Sequence, residues 1–309
     1  MTVFLTGSCL ALGPGSSITG FSFLKLGVGA RPVAMGQVFA GVADDANCLF
    51  YNPAGLALGC PFDVRVTLCQ MLRGVAYFSG GFTAPVFNRL GVGLSCGYLN
   101  ATDIRRDETG EELGTFQLSD LIIGPGLAIR PVKNFAIGGS GKFVSSRIDS
   151  FSSWALSFDF GILYQPIRYL TFGASLLHLG TPRRFIKMWE VPPVNLRGGV
   201  GFKLPFFNHY ILMASDFSVY PDYGPNIGVG SEVKLDLKQL GASKQADILY
   251  LRGGYQSGGY RGFWNGFSFG MGYERTMESG LVVAVDLVYL FYGLLGDAQR
   301  VSLGLRFVP

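Results

Sequence analysis

Charge is scarce in this chain. Asp, Glu, Lys and Arg make up 15% of its 309 residues, against about 25% in soluble domains, and that supply cannot cover a globule of this size with water-facing charge. A soluble enzyme is therefore disfavoured. Long apolar runs are missing too: Gly, Ser, Asp, Lys or Arg interrupts each one within about ten residues, short of the roughly eighteen that a membrane helix needs. Only 2 histidines occur, His178 and His209, each near a predicted strand end, where they read as interfacial polar residues rather than acid–base or metal groups. The 5 cysteines (Cys9, Cys48, Cys60, Cys69, Cys96) contain no C-x-x-C pair, so no metal centre is indicated. With a net charge of +4 and no polybasic run, nucleic acid is not an expected partner.

Basic residues are absent at the start, where the first is Lys25. Val3 to Leu12 is apolar and small residues follow before Pro14, so Met1 to about Ser17 reads as an export signal without its basic beginning. Lipidation at Cys9 fits less well, because Leu5 stands one residue too far upstream.

What the chain has in quantity is glycine and aromatic side chains: 45 Gly, 26 Phe, 14 Tyr and 3 Trp. From Phe62 onward the sequence falls into segments of roughly ten residues with period-two alternation, separated by turn-forming clusters. In the segment 281–291, Leu281, Val283, Val285, Leu287, Tyr289 and Phe291 share one face and Asp286 marks the other. Val301, Leu303, Leu305 and Phe307 likewise alternate with Ser302, Gly304 and Arg306, and Phe62 to Leu68 repeats the pattern. A soluble sandwich also alternates, but it carries charge on a water-facing side and needs far more of it. The pattern predicts an all-β fold, a transmembrane antiparallel β-barrel of about 14 strands with lipid-facing and lumen-facing residues in alternation. Connections at Phe87-Asn88, Val132 to Asn134 and Phe207 to His209 are short, whereas Thr102 to Glu112 and Gly180 to Pro193 are long. That asymmetry puts the short turns on the periplasmic side of a bacterial outer membrane. The connection Lys238 to Gln245 is long for such a turn.

Residues 18–60 lack the alternation. Arg31 to Gly36 and Ala40 to Asn47 favour a short helix and turns, with Pro32 suited to a first helical turn. This stretch is rich in Gly and Ala and charged only at Lys25, Arg31, Asp44 and Asp45. It suits a small N-terminal hatch packed against a lumen wall of inward glycines such as Gly91, Gly138, Gly230 and Gly272. The expected organisation is a signal segment at 1–17, a hatch at 18–60 and the barrel at 61–309.

Inward positions carry both signs: Asp63, Arg65, Lys142, Arg197, Arg252, Asp286 and Arg306, with Asp120, Asp159, Asp216, Glu232, Lys234 and Glu274 beside them. Mixed signs argue for internal ion pairs rather than a strongly ion-selective pore, and Asp286 with Arg306, on the last two strands, is the expected pair. Two readings of Asp44 and Asp45 stand side by side: ion pairs with inward cations such as Arg65, Lys142, Arg197 or Arg252, or caps on a turn. Alternation puts Cys69 inside and Cys96 outside. Cys48 and Cys60 share the hatch and are expected to form a disulfide in an oxidising compartment.

Two patterns that look catalytic fail on context. Gly93-Leu94-Ser95-Cys96-Gly97 matches the nucleophile elbow, but it lies inside a predicted strand instead of between a strand and a helix. Gly138 to Phe143 approaches a phosphate loop, yet Ala136 stands where the first glycine is needed and Phe143 replaces Ser or Thr. No catalysis and no cofactor are expected.

The stretch Phe23-Leu24-Lys25-Leu26-Gly27-Val28-Gly29-Ala30-Arg31, then Ala34-Met35-Gly36, Gly41 to Asn47 and Tyr51-Asn52-Pro53-Ala54-Gly55-Leu56, resembles the amino-terminal signature of the PorV/PorQ family. That family belongs with the FadL-type outer-membrane transporters. Arg105 to Gly110, Arg147 to Ser150 and Ala174 to Gly180 also look familial. The resemblance implies a hatch inside the lumen, with Asp44, Asp45, Asn47, Asn52, Pro53, Ala54 and Gly55 as hatch or gating residues. It implies FadL-like binding or passage of a hydrophobic compound, or PorV-like action in type IX secretion with secreted cargo proteins as partners. A structural barrel of passive role is the bland alternative.

Overall fold

A computed structural model describes residues 19–71, 74–87, 89–107, 109–185, 188–222, 224–243, 246–257, 266–291 and 297–307. The expected signal segment at 1–17, Cys9 included, lies outside the described residues.

The strands run in chain order as β1 (Phe62–Gln70), β2 (Ala76–Phe87), β3 (Leu90–Arg106), β4 (Glu112–Val132), β5 (Phe135–Ile148), β6 (Phe151–Ile167) and β7 (Leu170–Gly180). A short hairpin, β8 (Arg183–Phe185) and β9 (Met188–Glu190), interrupts them. The wall resumes with β10 (Asn195–Phe206), β11 (His209–Tyr220), β12 (Gly224–Asp236), β13 (Asp247–Gln256), β14 (Phe267–Thr276), β15 (Leu281–Phe291) and β16 (Asp297–Phe307). All but β8 and β9 form one closed antiparallel barrel, each strand pairing with its neighbour in sequence and β1 closing on β16. The seam register sets Val64 opposite Leu305 and Arg65 opposite Gly304. Closure leaves no unpaired edge, which a bilayer interior requires.

Alternation holds around the wall. On β6, Phe158, Phe160, Ile162 and Tyr164 face outward, while Ser157, Asp159 and Leu163 are buried inside. Such an exterior has no place in water and matches hydrocarbon. Exposed aromatics ring the short-turn end, among them Phe62, Phe87, Tyr164, Tyr169, Phe207 and Phe307, as at a membrane interface. β3 and β4 are 17 and 21 residues long, well beyond the roughly nine to eleven a span needs, so their hairpin continues past the long-loop rim. Of the long inner connection after β12, residues 244 and 245 lie outside the described residues; the rest begins as a capped turn, in which Asp236 Oδ1 accepts from the Lys238 and Gln239 amides at 3.0 and 3.2 Å and Gly241 takes a positive φ of 73°. An Asx-capped turn of this kind is ordinary; its length made it look anomalous in the sequence.

The N-terminal segment fills the lumen. It contains a 3-10 turn (Ser22–Lys25) and three short helices, α1 (Ala30–Ala34), α2 (Cys48–Tyr51) and α3 (Gly55–Leu58). Because no helix here is long enough to satisfy its own backbone, the wall supplies partners. Ser302 Oγ accepts from the Ala30 amide at 2.9 Å, Asp216 from those of Phe39 and Ala40 at 2.8 and 2.9 Å, and Asp63 from that of Ala46 at 2.9 Å. Ser268 Oγ accepts from the Gly36 amide at 3.2 Å and donates to the Ala34 carbonyl at 3.1 Å. Backbone approaches backbone closely enough that side chains are excluded at several wall positions: a Cβ on Gly230 would meet Met35, and one on Gly138 would meet Pro53.

Candidate functional site

The hatch is held by a continuous set of buried ion pairs. Arg31, on α1, pairs with hatch residues Asp44 and Asp45 at 2.5 and 2.9 Å and makes a two-bond fork to Glu232 of β12 at 2.8 and 3.0 Å. Glu232 also binds Arg252 at 2.6 Å, and Arg252 binds Asp286 at 2.6 Å. Asp286 in turn takes Arg65 at 3.0 Å, and Arg65 holds Asp63 at 2.9 Å. Planar guanidinium forks suit such bidentate, desolvated pairs. For Asp45, burial pushes the carboxyl up, but Arg65 and Arg31 outweigh it and hold it below the usual range.

Two of these contacts cross a strand: Arg65 reaches over β16, where it is opposite Gly304, and Arg252 reaches over β14, where Gly272 lies between it and Asp286 and makes the contact possible. A Cβ at Gly272 would fall 2.6 Å from Arg252 Nη1. The inward glycines thus make room for side chains as well as for the hatch.

The expected pair Asp286–Arg306 does not form. Asp286 is opposite Ser302, whereas Arg306 is opposite Val282, four residues and roughly 13 Å away along the strand; Arg306 binds Glu274 at 2.8 Å. Of the cations foreseen for Asp44 and Asp45, only Arg65 reaches Asp45, at 3.8 Å. Lys142 pairs with Asp159, and Arg197 donates to the Gln37 carbonyl at 2.8 Å. Asp44 meets Lys203 at 4.0 Å instead. Asp45 fulfils the capping role as well, accepting from the Asn47 amide and side chain at 2.9 and 2.8 Å. Cys48 and Cys60 are free thiols in contact at 3.1 Å and not the disulfide that was expected.

Asn52 fixes the following turn. Its Nδ2 donates to the Ala40 carbonyl within the hatch at 2.8 Å and to Ile162 on the wall at 2.9 Å, and its Oδ1 accepts from the Ala54 amide at 3.2 Å. Pro53 lies against Gly138 and Gly161, and Gly55 begins α3.

Clefts open on both faces of the hatch. On the outer side a cleft of about 30 Å³ is walled by Leu24, Leu26, Val28, Phe50 and Tyr51 from the hatch and by Tyr77, Ile122, Leu177 and Tyr220 from the barrel. Its polar lining includes His178, Asn195 and Arg197. On the inner side one pocket of about 190 Å³ is lined largely by charge, including Lys203, Lys234, Glu274 and Arg306, and a larger one of about 480 Å³ mostly by apolar residues, among them Leu56, Leu58, Pro85, Val86 and Phe87. Over the outer mouth, the connection after β7 docks on the N-terminal segment: the Gly20 amide donates to the Val191 carbonyl at 3.0 Å, and Arg183 stacks 3.8 Å over the Phe21 ring.

His178 is the residue that strand counting misplaced. Between Phe158/Leu179 and Phe160/Leu176 the β6–β7 register shifts, and His178 takes a φ of 61°, so Leu177 and His178 both turn inward. A bulge of this kind re-aims a side chain. Arg300, also missed, is buried and donates to the Gly27 carbonyl; the alternation through Ser302 already pointed it inward. Ser95 of the elbow-like motif sits mid-strand and donates to the Gly124 carbonyl at 3.1 Å.

An apolar exterior, a closed wall and a lumen occupied by the chain's own N-terminus define a transmembrane β-barrel with an internal hatch, an outer-membrane architecture. Solved structures share it. The CymD monoaromatic hydrocarbon channel aligns with a TM-score of 0.63 at 11% identity, over 91% of this chain and 98% of its own. A Pseudomonas aeruginosa FadL homologue gives 0.60 at 10% identity over 91% and 98%. The Ralstonia pickettii toluene transporter TbuX gives 0.59 at 14% over 91% and 99%. These identities speak for the fold. No protein-family model matches the sequence, and no curated protein sequence is similar to it.

Proposed function

We propose that this barrel binds or passes hydrophobic compounds across the outer membrane in FadL-like fashion, with residues 18–60 as the gating hatch. The observation that carries the reading is a closed, lipid-facing barrel whose lumen is filled by the chain's own N-terminal segment, with clefts on both faces of that hatch, the larger of them mostly apolar. The neighbours in fold add support, since those named for an activity are a toluene transporter and a hydrocarbon channel. In this reading Asp44, Asp45 and Asn47 form the charged hinge beside Arg31, and Asn52, Pro53, Ala54 and Gly55 the wall anchor; the lumen residues Asp63, Arg65, Arg252 and Asp286 hold the closed state. Purification from native membranes in mild detergent, followed by mass spectrometry of extracted small molecules, tests it. A bound apolar compound supports the reading; an intact hatch with no such compound bound, and no uptake into vesicles, contradicts it.

A PorV-like role in receiving secreted cargo is the second reading, in keeping with the PorV/PorQ resemblance of Phe23 to Leu56. The observation favouring it is the β3–β4 hairpin, whose exposed Arg105, Arg106 and Glu112 stand beyond the outer rim. Co-purification of cargo that is lost when this hairpin is shortened is its expected signature.

A further inference from the structure

Two lysines at the inner face of the hatch lack a close counter-charge. The pocket of about 190 Å³ there is lined by six cationic residues and two carboxylates. Arg31, Arg65 and Arg252 belong to the ion-pair chain, on Glu232, Asp63 and Asp286. Of the two lining carboxylates, Glu274 binds Arg306 at 2.8 Å and Asp44 binds Arg31 at 2.5 Å. Lys203 meets only Asp44, at 4.0 Å, and among the described residues no carboxylate lies that close to Lys234. One ring sits beside both ammonium groups: Lys203 Nζ is 4.2 Å and Lys234 Nζ 5.7 Å from the Tyr210 centroid. The register puts them there, since inward Tyr210 of β11 is opposite Lys234 of β12 and opposite Pro205 of β10, two residues past Lys203. The Tyr210 hydroxyl donates to Glu232 Oε1 at 2.8 Å, which fixes the ring. The Lys203 side chain is 42% exposed and open to the water of the pocket. Two like charges held beside one ring repel, and a recess with low-dielectric walls concentrates their field.

We propose that this pocket binds a phosphate group as its dianion, carried by inorganic phosphate or by the phosphomonoester head of a lipid. A dianion matches two unneutralised ammonium groups in charge, and its oxygens accept from both; a carboxylate neutralises only one. The space of about 190 Å³ is several times the roughly 30 Å³ that a water molecule takes, so a phosphate group enters with the hatch as it stands. An uncharged apolar compound has no use for these lysines. The site is therefore separate from any path for hydrophobic compounds, and it holds whether or not the FadL-like reading does.

Isothermal titration calorimetry of the full-length protein tests it, in a phosphate-free maltoside detergent at constant ionic strength, buffered above the second ionisation of phosphate. Inorganic phosphate and lysophosphatidic acid are the two probes, with acetate as the monoanion and lysophosphatidylcholine subtracting partition into the micelle. The expected result is saturable binding of inorganic phosphate, roughly tenfold tighter than acetate and weakened about tenfold by Lys203→Gln or by Lys234→Gln. Lys238→Gln, on the inner connection outside the pocket, should leave it unchanged. Heat-modifiable gel mobility checks that each variant is folded. Saturable binding of lysophosphatidic acid alone, with the same loss in the two pocket variants, supports the site and assigns it to a lipid head. Equal affinity for acetate and phosphate, binding that both pocket variants leave intact, or no saturable binding of either phosphate probe overturns it.

Discussion

Arg252 and Asp286 meet at 2.6 Å across a strand, β14, that places only Gly272 between them. The ion pair and the glycine are one device: the wall gives up a side chain so that two charges on non-adjacent strands can pair. Gly272→Ala is expected to push the pair apart and lower stability, by less than removal of either partner would. A lower unfolding temperature in detergent, with barrel circular dichroism retained, is the expected outcome; an unchanged temperature contradicts the role given to Gly272.

Asp286 and Arg306 are predicted to differ. Asp286→Ala takes one carboxylate from each of two buried arginines, leaving Arg65 on Asp63 and Arg252 on Glu232 deep in the lumen. Arg306→Ala removes a partner only from Glu274, and the Arg306 side chain is 26% exposed. Thermal unfolding of the two variants should show the larger loss for Asp286→Ala, by about 2 kcal/mol or more. Equal losses would revive a direct link between the two residues.

Arg31→Met should loosen the hatch while leaving the wall closed, since Arg31 ties Asp44 and Asp45 to Glu232. Proteolysis of intact vesicles from the inner side is the measurement. Cleavage within 30–60 and raised uptake of a bulky antibiotic are expected; wild-type resistance in both would show that the backbone hydrogen bonds to Ser302, Asp216 and Asp63 suffice.

Lys25 and Thr19 both bond Asp222, at the outer end of the N-terminal segment. Burial alone pushes this carboxyl up, but those partners hold it below its ordinary 3.8. A depressed carboxyl contributes stability that is present above the unfolded value and lost as pH falls through the folded one. The stability difference between the wild-type protein and Asp222→Asn should therefore be constant above about pH 5 and shrink toward zero below the ordinary value. A difference that grows on acidification contradicts the pairing.

Cys48 and Cys60 should resist alkylation in the folded protein, because both are buried and burial pushes the Cys60 thiol up, away from its reactive thiolate form. Mass spectrometry after maleimide treatment should find label on neither until the protein is unfolded. Rapid labelling in the folded state would mean that the hatch opens.

Strand positions were open to sequence reading because alternation is written into neighbouring residues: the segment 281–291 coincides with β15 (Leu281–Phe291), and Phe62 to Leu68 lies within β1 (Phe62–Gln70). The inward charges were legible for the same reason. Their partners were not, since those depend on the register at the β1–β16 seam and on which wall residue is glycine. Arg65 reaches Asp286 over β16, and no spacing within either strand shows it. His178 was misread because a bulge shifts the period by one, and a single sequence does not mark where a strand takes an extra residue. The hatch showed as an absence of period, which did not reveal that Asp45 would both cap a turn and pair with Arg31.

Spin labels placed one at a time at Val301, Ser302, Leu303 and Gly304, in the full-length protein reconstituted into lipid vesicles, test the central claim most directly. Collision with oxygen, which concentrates in the bilayer, should be high at 301 and 303 and low at 302 and 304, where labels should be immobilised against the hatch. Uniform access of a water-soluble nickel complex to all four sites would mean that no lipid-facing wall and no filled lumen exist here.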